Sequence, residues 1–252
     1  MDVILLVLKW LAISFFAVSV IHVLILRFVR VNRTPLMLFR CRQQRKRGEA
    51  VRLHHQWMPF DEIPTDFKTA VWVAEDGLFI SHFGFDFLKL FKGLMVFFHK
   101  RSEFKKSFFG ISTISQQTAK NVFLWPNRSL FRKMLEAYYT ILIELLWGKQ
   151  RIMEVYLNCI EMGDGIYGVY AAAKEHYHCE PKELTREQIA NIVTCLPNPI
   201  NYQCTNIFYP LLLESKKRIL MGMEETTFPP RKHFAKVQFL HRWHTLKQIL
   251  HI

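Results

Sequence analysis

Glycine and proline are scarce, at 10 residues each in a chain of 252. Both punctuate turns, so a chain with so few has little room for long loops. Cysteine is sparse too. The five present (Cys41, Cys159, Cys179, Cys195 and Cys204) are odd in number and form no C-x-x-C pair, which argues against a disulfide framework or a zinc site and for isolated structural thiols. No internal repeat and no low-complexity tract occurs, which excludes a repeat array. Acid is in deficit: 34 Lys plus Arg face 21 Asp plus Glu, leaving a net charge of +13. That balance suits anionic partners such as nucleic acid, membrane head groups or a phosphorylated substrate.

Apolar residues are abundant. They make up 50% of the chain, and Phe alone occurs 22 times. The length allows one medium domain with a real core, plus appendages. From 10 to 26 the run WLAISFFAVSVIHVLIL carries no charge, and VILLVL precedes it. The run reads as an uncleaved membrane-spanning helix. A signal peptide fits less well, because Asp2 and Lys9 make no basic n-region and no small-residue cleavage site follows. Residues 27–52 are then dense in Arg and Lys, including RCRQQRKRGEAVR. Taken alone, the positive-inside rule places that side in the cytoplasm.

Helical periodicity dominates the rest. Pro64 opens a segment in which Phe67, Ala70, Val71 and Ala74 recur at i, i+3, i+4 and i+7, and Gly77 is placed to end it. Similar patterns cover 87–98, 113–123, 130–147, 150–156, 168–177, 185–196 and 209–223. Few segments alternate with period two, so the fold class is mainly α. Beyond 223 the chain turns basic and aromatic and reads as a tail or terminal helix. The predicted organisation is an anchor at 1–30, a basic juxtamembrane segment at 31–54, a domain at 55–222 and a tail at 223–252.

Four stretches can carry chemistry. In AEDGLFISHFGFD, Glu75 falls in the last turn of a helix, with Asp76 beside it and aromatics around it. The helix dipole, the like charge and desolvation all disfavour its ionised form, as suits a general base or acid near neutral pH. In GISTISQQTAKN, Ser112 and Thr113 open a helix on which Gln116 and Lys120 share a face, an arrangement suited to an anion but also to an ordinary capped helix. In PNRSLFRKMLE, Ser129 is placed as an N-cap. Arg132 and Lys133 sit in a first turn that disfavours cations, and Glu136 can pair with Arg132 or leave it for a bound anion. The fourth, GKQRIMEVYLNCIEMGDGIYG, has a buried face at Ile152, Val155 and Tyr156 and a glycine-shaped loop, and reads as structural.

In this order, the four stretches resemble the glycosyltransferase domain of bacterial cell-wall synthases, most closely the monofunctional biosynthetic peptidoglycan transglycosylases. The first motif is carried by Glu75, Asp76, Phe79, His82, Gly84 and Asp86. The second is carried by Gly110, Ser112, Thr113, Ile114, Ser115, Gln116, Gln117, Lys120 and Asn121. The third is Arg132, Lys133 and Glu136, with Arg128 upstream, and the fourth is Lys149, Ile152, Met153, Glu154, Tyr156, Leu157 and Asn158. LPNP at 196–199 and KKRIL at 216–220 fit later segments. Ile111, Met153 and Leu135 depart from the pattern.

The resemblance implies a lysozyme-like, helical, two-lobe domain whose smaller, membrane-facing lobe includes 87–109. It implies polymerisation of lipid II with inversion at the anomeric carbon. Glu75 and Glu136 are then the catalytic pair, Glu75 as general base. Asp76, Phe79, His82, Ser112, Thr113, Gln116, Gln117, Lys120, Asn121, Arg128, Arg132 and Lys133 form the substrate site. A divalent cation (Mg or Mn) near Glu136 is the candidate cofactor, with no organic cofactor. The expected partners are lipid II, the growing glycan chain, membrane lipids and other cell-wall synthesis or division proteins, and not nucleic acid. The expected location is the bacterial inner membrane, single-pass, with the domain on its outer face. This conflicts with the charge rule unless the basic run rests on anionic outer-leaflet head groups. A lysozyme-like muramidase and a non-catalytic scaffold on anionic lipid are the rival readings. A transpeptidase is excluded: S-x-x-K occurs once, at 102–105, and S-D-N and K-T-G are absent.

Overall fold

The computed structural model describes residues 2–91, 112–127, 129–230 and 234. The expected helix at 87–98 is helical over 87–91 and then leaves the described residues, as does most of the membrane-facing stretch 87–109.

Helix α1 (Asp2–Phe28) is the apolar run, extended at both ends. Its Val3–Phe28 portion spans 26 residues and includes an 18-residue window with a mean hydropathy of 2.5. At 1.5 Å per residue this is roughly 39 Å, enough to cross a bilayer core. Its second half lies against the domain. Trp147 Nε1 donates to the Val23 carbonyl at 2.7 Å, Ser19 and Tyr138 hydroxyls meet at 2.5 Å, and Arg151 Nη2 donates to the Leu26 carbonyl at 2.8 Å.

The basic segment that follows is not a loose spacer. Thr34 caps α2 (Pro35–Lys46) by accepting from the Met37 N–H. Leu36, Met37, Cys41 and Gln44 turn inward, while Arg42, Arg45 and Lys46 remain exposed. Arg40 pairs with Glu161 at 3.2 Å.

The domain is built from α3 (Thr65–Glu75), α4 (Ile114–Phe123), α5 (Leu130–Leu146), α6 (Gly148–Cys159), α7 (Gly168–Tyr177), α8 (Arg186–Cys195) and α9 (Pro210–Glu225). Period-3.6 apolar stripes place Phe67, Ile114, Ile143, Ile152 and Tyr156 in one core, each at most 1% exposed. Helix α4 packs against both α5 and α6, and α3 packs against α8 and α9. The catalytic motifs therefore hang from helices that share a core.

Three readings of the sequence are corrected. Gly77 is not a left-handed helix cap: α3 stops at Glu75, and the Gly77 carbonyl instead accepts from Trp72 Nε1 at 3.1 Å. The glycine-shaped loop is a small sheet, β1 (His54–His55), β2 (Glu161–Gly163) and β3 (Ile166–Tyr167), in the order β1-β3-β2. Strands this short are below what period-two alternation can reveal. Gly165 is required there, with φ +73° and space for a Cβ only 2.4 Å from the Arg52 carbonyl oxygen. The third correction concerns the tail. Helix α9 runs on to Glu225, and the Phe228 N–H donates to Thr69 Oγ1 at 2.9 Å, so the chain past 223 begins as part of the domain.

Candidate active site

Glu75 closes α3 and faces α4. Gln117 Nε2 donates to Glu75 Oε2 at 2.7 Å. The other end of that amide is fixed, because the Tyr156 hydroxyl donates to Gln117 Oε1 at 3.2 Å. Burial drives the Tyr156 hydroxyl well above its usual range, so it stays protonated and keeps donating. Glu75 is half-buried: protein atoms crowd it densely, yet part of its surface remains open to solvent. That crowding raises its carboxyl above the ordinary range. The Gln117 bond, Lys89 and Lys120 pull the other way, and Asp76 adds to the rise.

Asp76 is bound into the protein. It is fully buried, and His82 Nε2 donates into its carboxylate at 2.9 and 3.0 Å while the Ile114 N–H donates to Oδ2 at 3.0 Å. Asp76 thus ties the end of α3 to the first residue of α4. Phe79 is likewise 0% exposed, with the Lys149 ammonium 4.5 Å over its ring. Thr113 and Gln116 form a capping box, each bonding the other's backbone N–H. Thr113 Oγ1 also donates to the Gly84 carbonyl at 2.6 Å. Asp76, Phe79, His82, Thr113 and Gln116, expected to line the substrate site, thus brace the junction between α3 and α4. Ser112 offers its carbonyl to Gln117 Nε2 at 3.5 Å, and Asn121 is buried with Nδ2 lacking a hydrogen-bond partner among the described residues.

The cations come from α4 and α5. Ser129 caps α5 through the Arg132 N–H at 3.1 Å, which sets Arg132, Lys133 and Glu136 on successive turns. Glu136 is 2% exposed, with Arg132 Nη1 at 2.5 Å on one oxygen and Lys133 Nζ on the other. Lys120 lies within electrostatic reach of this triad and of Glu75. Burial lowers its ammonium below the usual lysine range, Glu136 opposes the drop, and Arg132 and Lys133 add to it. Arg128 lies outside the described residues.

The divalent cation expected beside Glu136 finds no set of donors there. Both Glu136 oxygens are taken by cations, and no cluster of three His, Cys, Asp or Glu occurs among the described residues. Two shallow hollows, one lined by Gln56, Trp57 and Tyr170 and the other by Arg47, Arg52 and Asp164, share no residue with this cluster.

Sequence reasoning missed two contributors. Glu144 accepts from Ser115 Oγ at 2.5 Å and from Lys149 Nζ at 2.6 Å, a buried knot beneath α4. A glutamate inside the apolar run ILIELL was the available signal. Lys89 donates to the Glu75 carbonyl at 3.4 Å and stands in none of the four motifs. The fourth motif is structural, as read: Asn158 and Glu154 accept from the Met58 and Phe60 N–H groups at 2.7 and 2.9 Å.

Together these elements set one partly open carboxylate and one half-buried lysine beside a carboxylate-bound pair of cations. The chain is similar to known proteins over most of its length. A transglycosylase family profile matches residues 43–224. A biosynthetic peptidoglycan transglycosylase of Bacteroides thetaiotaomicron is 44% identical over 220 residues, 87% of each chain. Proteins of the same name from Bdellovibrio bacteriovorus and Stutzerimonas stutzeri are each 46% identical, over 77% of this chain and 77% of the former and over 73% of this chain and 74% of the latter. The chain belongs to the transglycosylase family.

Proposed function

We propose that the protein is a membrane-anchored peptidoglycan glycosyltransferase that joins lipid II units into glycan strands. The observation carrying this reading is the approach of Lys120 to both Glu75 and the Arg132–Glu136–Lys133 triad. A carboxylate and a group of cations within electrostatic reach of one lysine would suit a sugar bonded to a diphosphate.

In this scheme Glu75 takes the proton from the 4-hydroxyl of the acceptor sugar. That oxygen attacks the anomeric carbon of the growing chain's terminal sugar from the face opposite the leaving group, so configuration inverts. The bond from the anomeric carbon to the lipid diphosphate breaks, and its electron pair leaves with the diphosphate. A diphosphate needs charge neutralisation more than a proton, and Lys120, Arg132 and Lys133 supply it. Glu136 orients Arg132 and Lys133 and is not a general acid, since its two oxygens already accept from cations. A divalent ion would arrive as part of the diphosphate substrate. Helix α1 crosses the inner membrane once, with the domain on the outer face. The rival muramidase needs a water-activating site and has no use for a cation nest.

Incubating the detergent-solubilised full chain with lipid II, with and without EDTA, tests this. Glycan polymer is expected, and purified cell-wall sacculi should release no soluble fragments. Sacculus digestion without polymer would support the muramidase, and neither activity would support the scaffold.

A further inference from the structure

Lys89 is held between two elements. Its backbone N–H donates to Asp86 Oδ1 at 2.9 Å, which starts the helical turn at 87–91. Its ammonium lies 3.9 Å from Asp86 Oδ2 and donates to the carbonyl of Glu75 at 3.4 Å. Asp86 is buried at 5% exposure, and Oδ2 has no hydrogen bond among the described residues, so the nearby ammonium is its compensating charge. The Glu75 carbonyl belongs to the last turn of α3, where carbonyls lack intrahelical partners and the dipole is negative. A lysine at that end satisfies an orphan acceptor and places positive charge beside the base.

The charged groups acting on Glu75 are Lys89 and Lys120 on one side of the balance and Asp76 on the other, with burial outweighing each. Lys120 cannot serve this purpose throughout the reaction. Once a diphosphate occupies the cation nest, its negative charge cancels the field that Lys120 exerts on Glu75. Lys89 instead meets Asp86 and the Glu75 carbonyl, from the 87–91 turn.

We propose that Lys89 is a positioning residue for the reaction: wedged between Asp86 and the Glu75 carbonyl, it fixes the open end of α3 and keeps the Glu75 carboxylate ionised while the anionic substrate is bound. This rests on Glu75 being the base.

The test is the pH profile of lipid II polymerisation by the full chain, from about pH 5 to pH 9, for wild type, Lys89→Met, Lys89→Gln and Lys89→Arg. The expected result is an acidic limb of kcat/KM shifted upward by about 0.5–1 unit in Lys89→Met and Lys89→Gln, with activity regained at high pH. Lys89→Arg should restore the wild-type limb. An unmoved limb overturns the proposal, whether the rate falls uniformly (a structural brace) or KM alone rises (a substrate contact). Glu75→Gln, measured alongside, separates the two ideas. Wild-type activity in that variant refutes the base itself, whereas an inactive Glu75→Gln with an unmoved Lys89→Met limb refutes only the role of Lys89. Lys89 keeps 39% of its side chain exposed, so the polar Lys89→Gln variant is compatible with folding.

Discussion

Lys120 shows how a residue is kept at a cost to stability. Its burial disfavours the ammonium form, and the neighbouring cations Arg132 and Lys133 disfavour it further, with only Glu136 and Glu75 in opposition. A protein selected for stability alone would replace it. Lys120→Gln is therefore expected to lower kcat/KM by about 10²–10³-fold while leaving the unfolding temperature unchanged or raised. A variant that unfolds earlier yet polymerises normally would reverse that assignment. Glu75 follows the same logic with a definite sign. Its folded carboxyl titrates above its unfolded value, so any stabilisation from it is complete below the unfolded pKa and is lost as pH rises through the folded one. Near neutral pH the ionised glutamate opposes folding, and it is this form that the proposed base catalysis would use. Spacing in the sequence placed Glu75 in the last turn of its helix and Lys120 on one face with Gln116, but it did not disclose the desolvation of that lysine. The supporting partners did not show in that way. The Gln117–Tyr156 bond joins residues 39 apart, and no local pattern announces such a contact.

At the scale of elements, the junction between α3 and α4 sets the site. Asp76, at the end of α3, holds the first N–H of α4, and the Thr113 hydroxyl reaches across to the Gly84 carbonyl. Gly84 has φ +78°, and a Cβ there would meet Thr140 Cγ2 at 2.8 Å and Glu144 Cγ at 3.1 Å. Gly84→Ala is expected to destabilise the domain by about 1–3 kcal/mol through strain and overpacking. Thermal unfolding should fall, and activity with it, because Thr113 loses a fixed acceptor. Unchanged melting would mean that the segment relaxes freely and does not brace α4. The helices themselves were legible, since amphipathic stripes and caps such as Ser129 belong to the local sequence. What escaped were features set by tertiary contact. The three short strands draw their order from Gly165 lying against Arg52, and the buried Glu144 draws its partners from two other segments.

Across the whole molecule, the apolar helix α1 is part of the enzyme's packing. Arg151 donates to the Leu26 carbonyl through both Nε and Nη2, pairs with Glu154 at 2.6 Å and lies 5.0 Å over the Trp57 ring. One side chain thus caps the end of α1, steadies α6 and covers the chain entering α3. Arg151→Met leaves carbonyls and Glu154 without their cation. A loss of about 2 kcal/mol is expected, or an unfolding temperature lower by roughly 4–8 °C, with faster proteolysis at 27–34. Unaltered melting and cleavage would make α1 a loose tether. Composition alone showed that residues 10–26 suit a membrane, but it held no sign of this docking, because Ser19 and Val23 look like any other residues of an apolar run.

The most direct measurement of the central claim is single-turnover transfer on lipid II by Glu75→Gln beside wild type, with lipid II binding and melting followed in parallel. The account expects kcat to fall about 10²–10⁴-fold, binding to persist, and melting near neutral pH to match or exceed wild type. Transfer by the glutamine variant at the wild-type rate would contradict it.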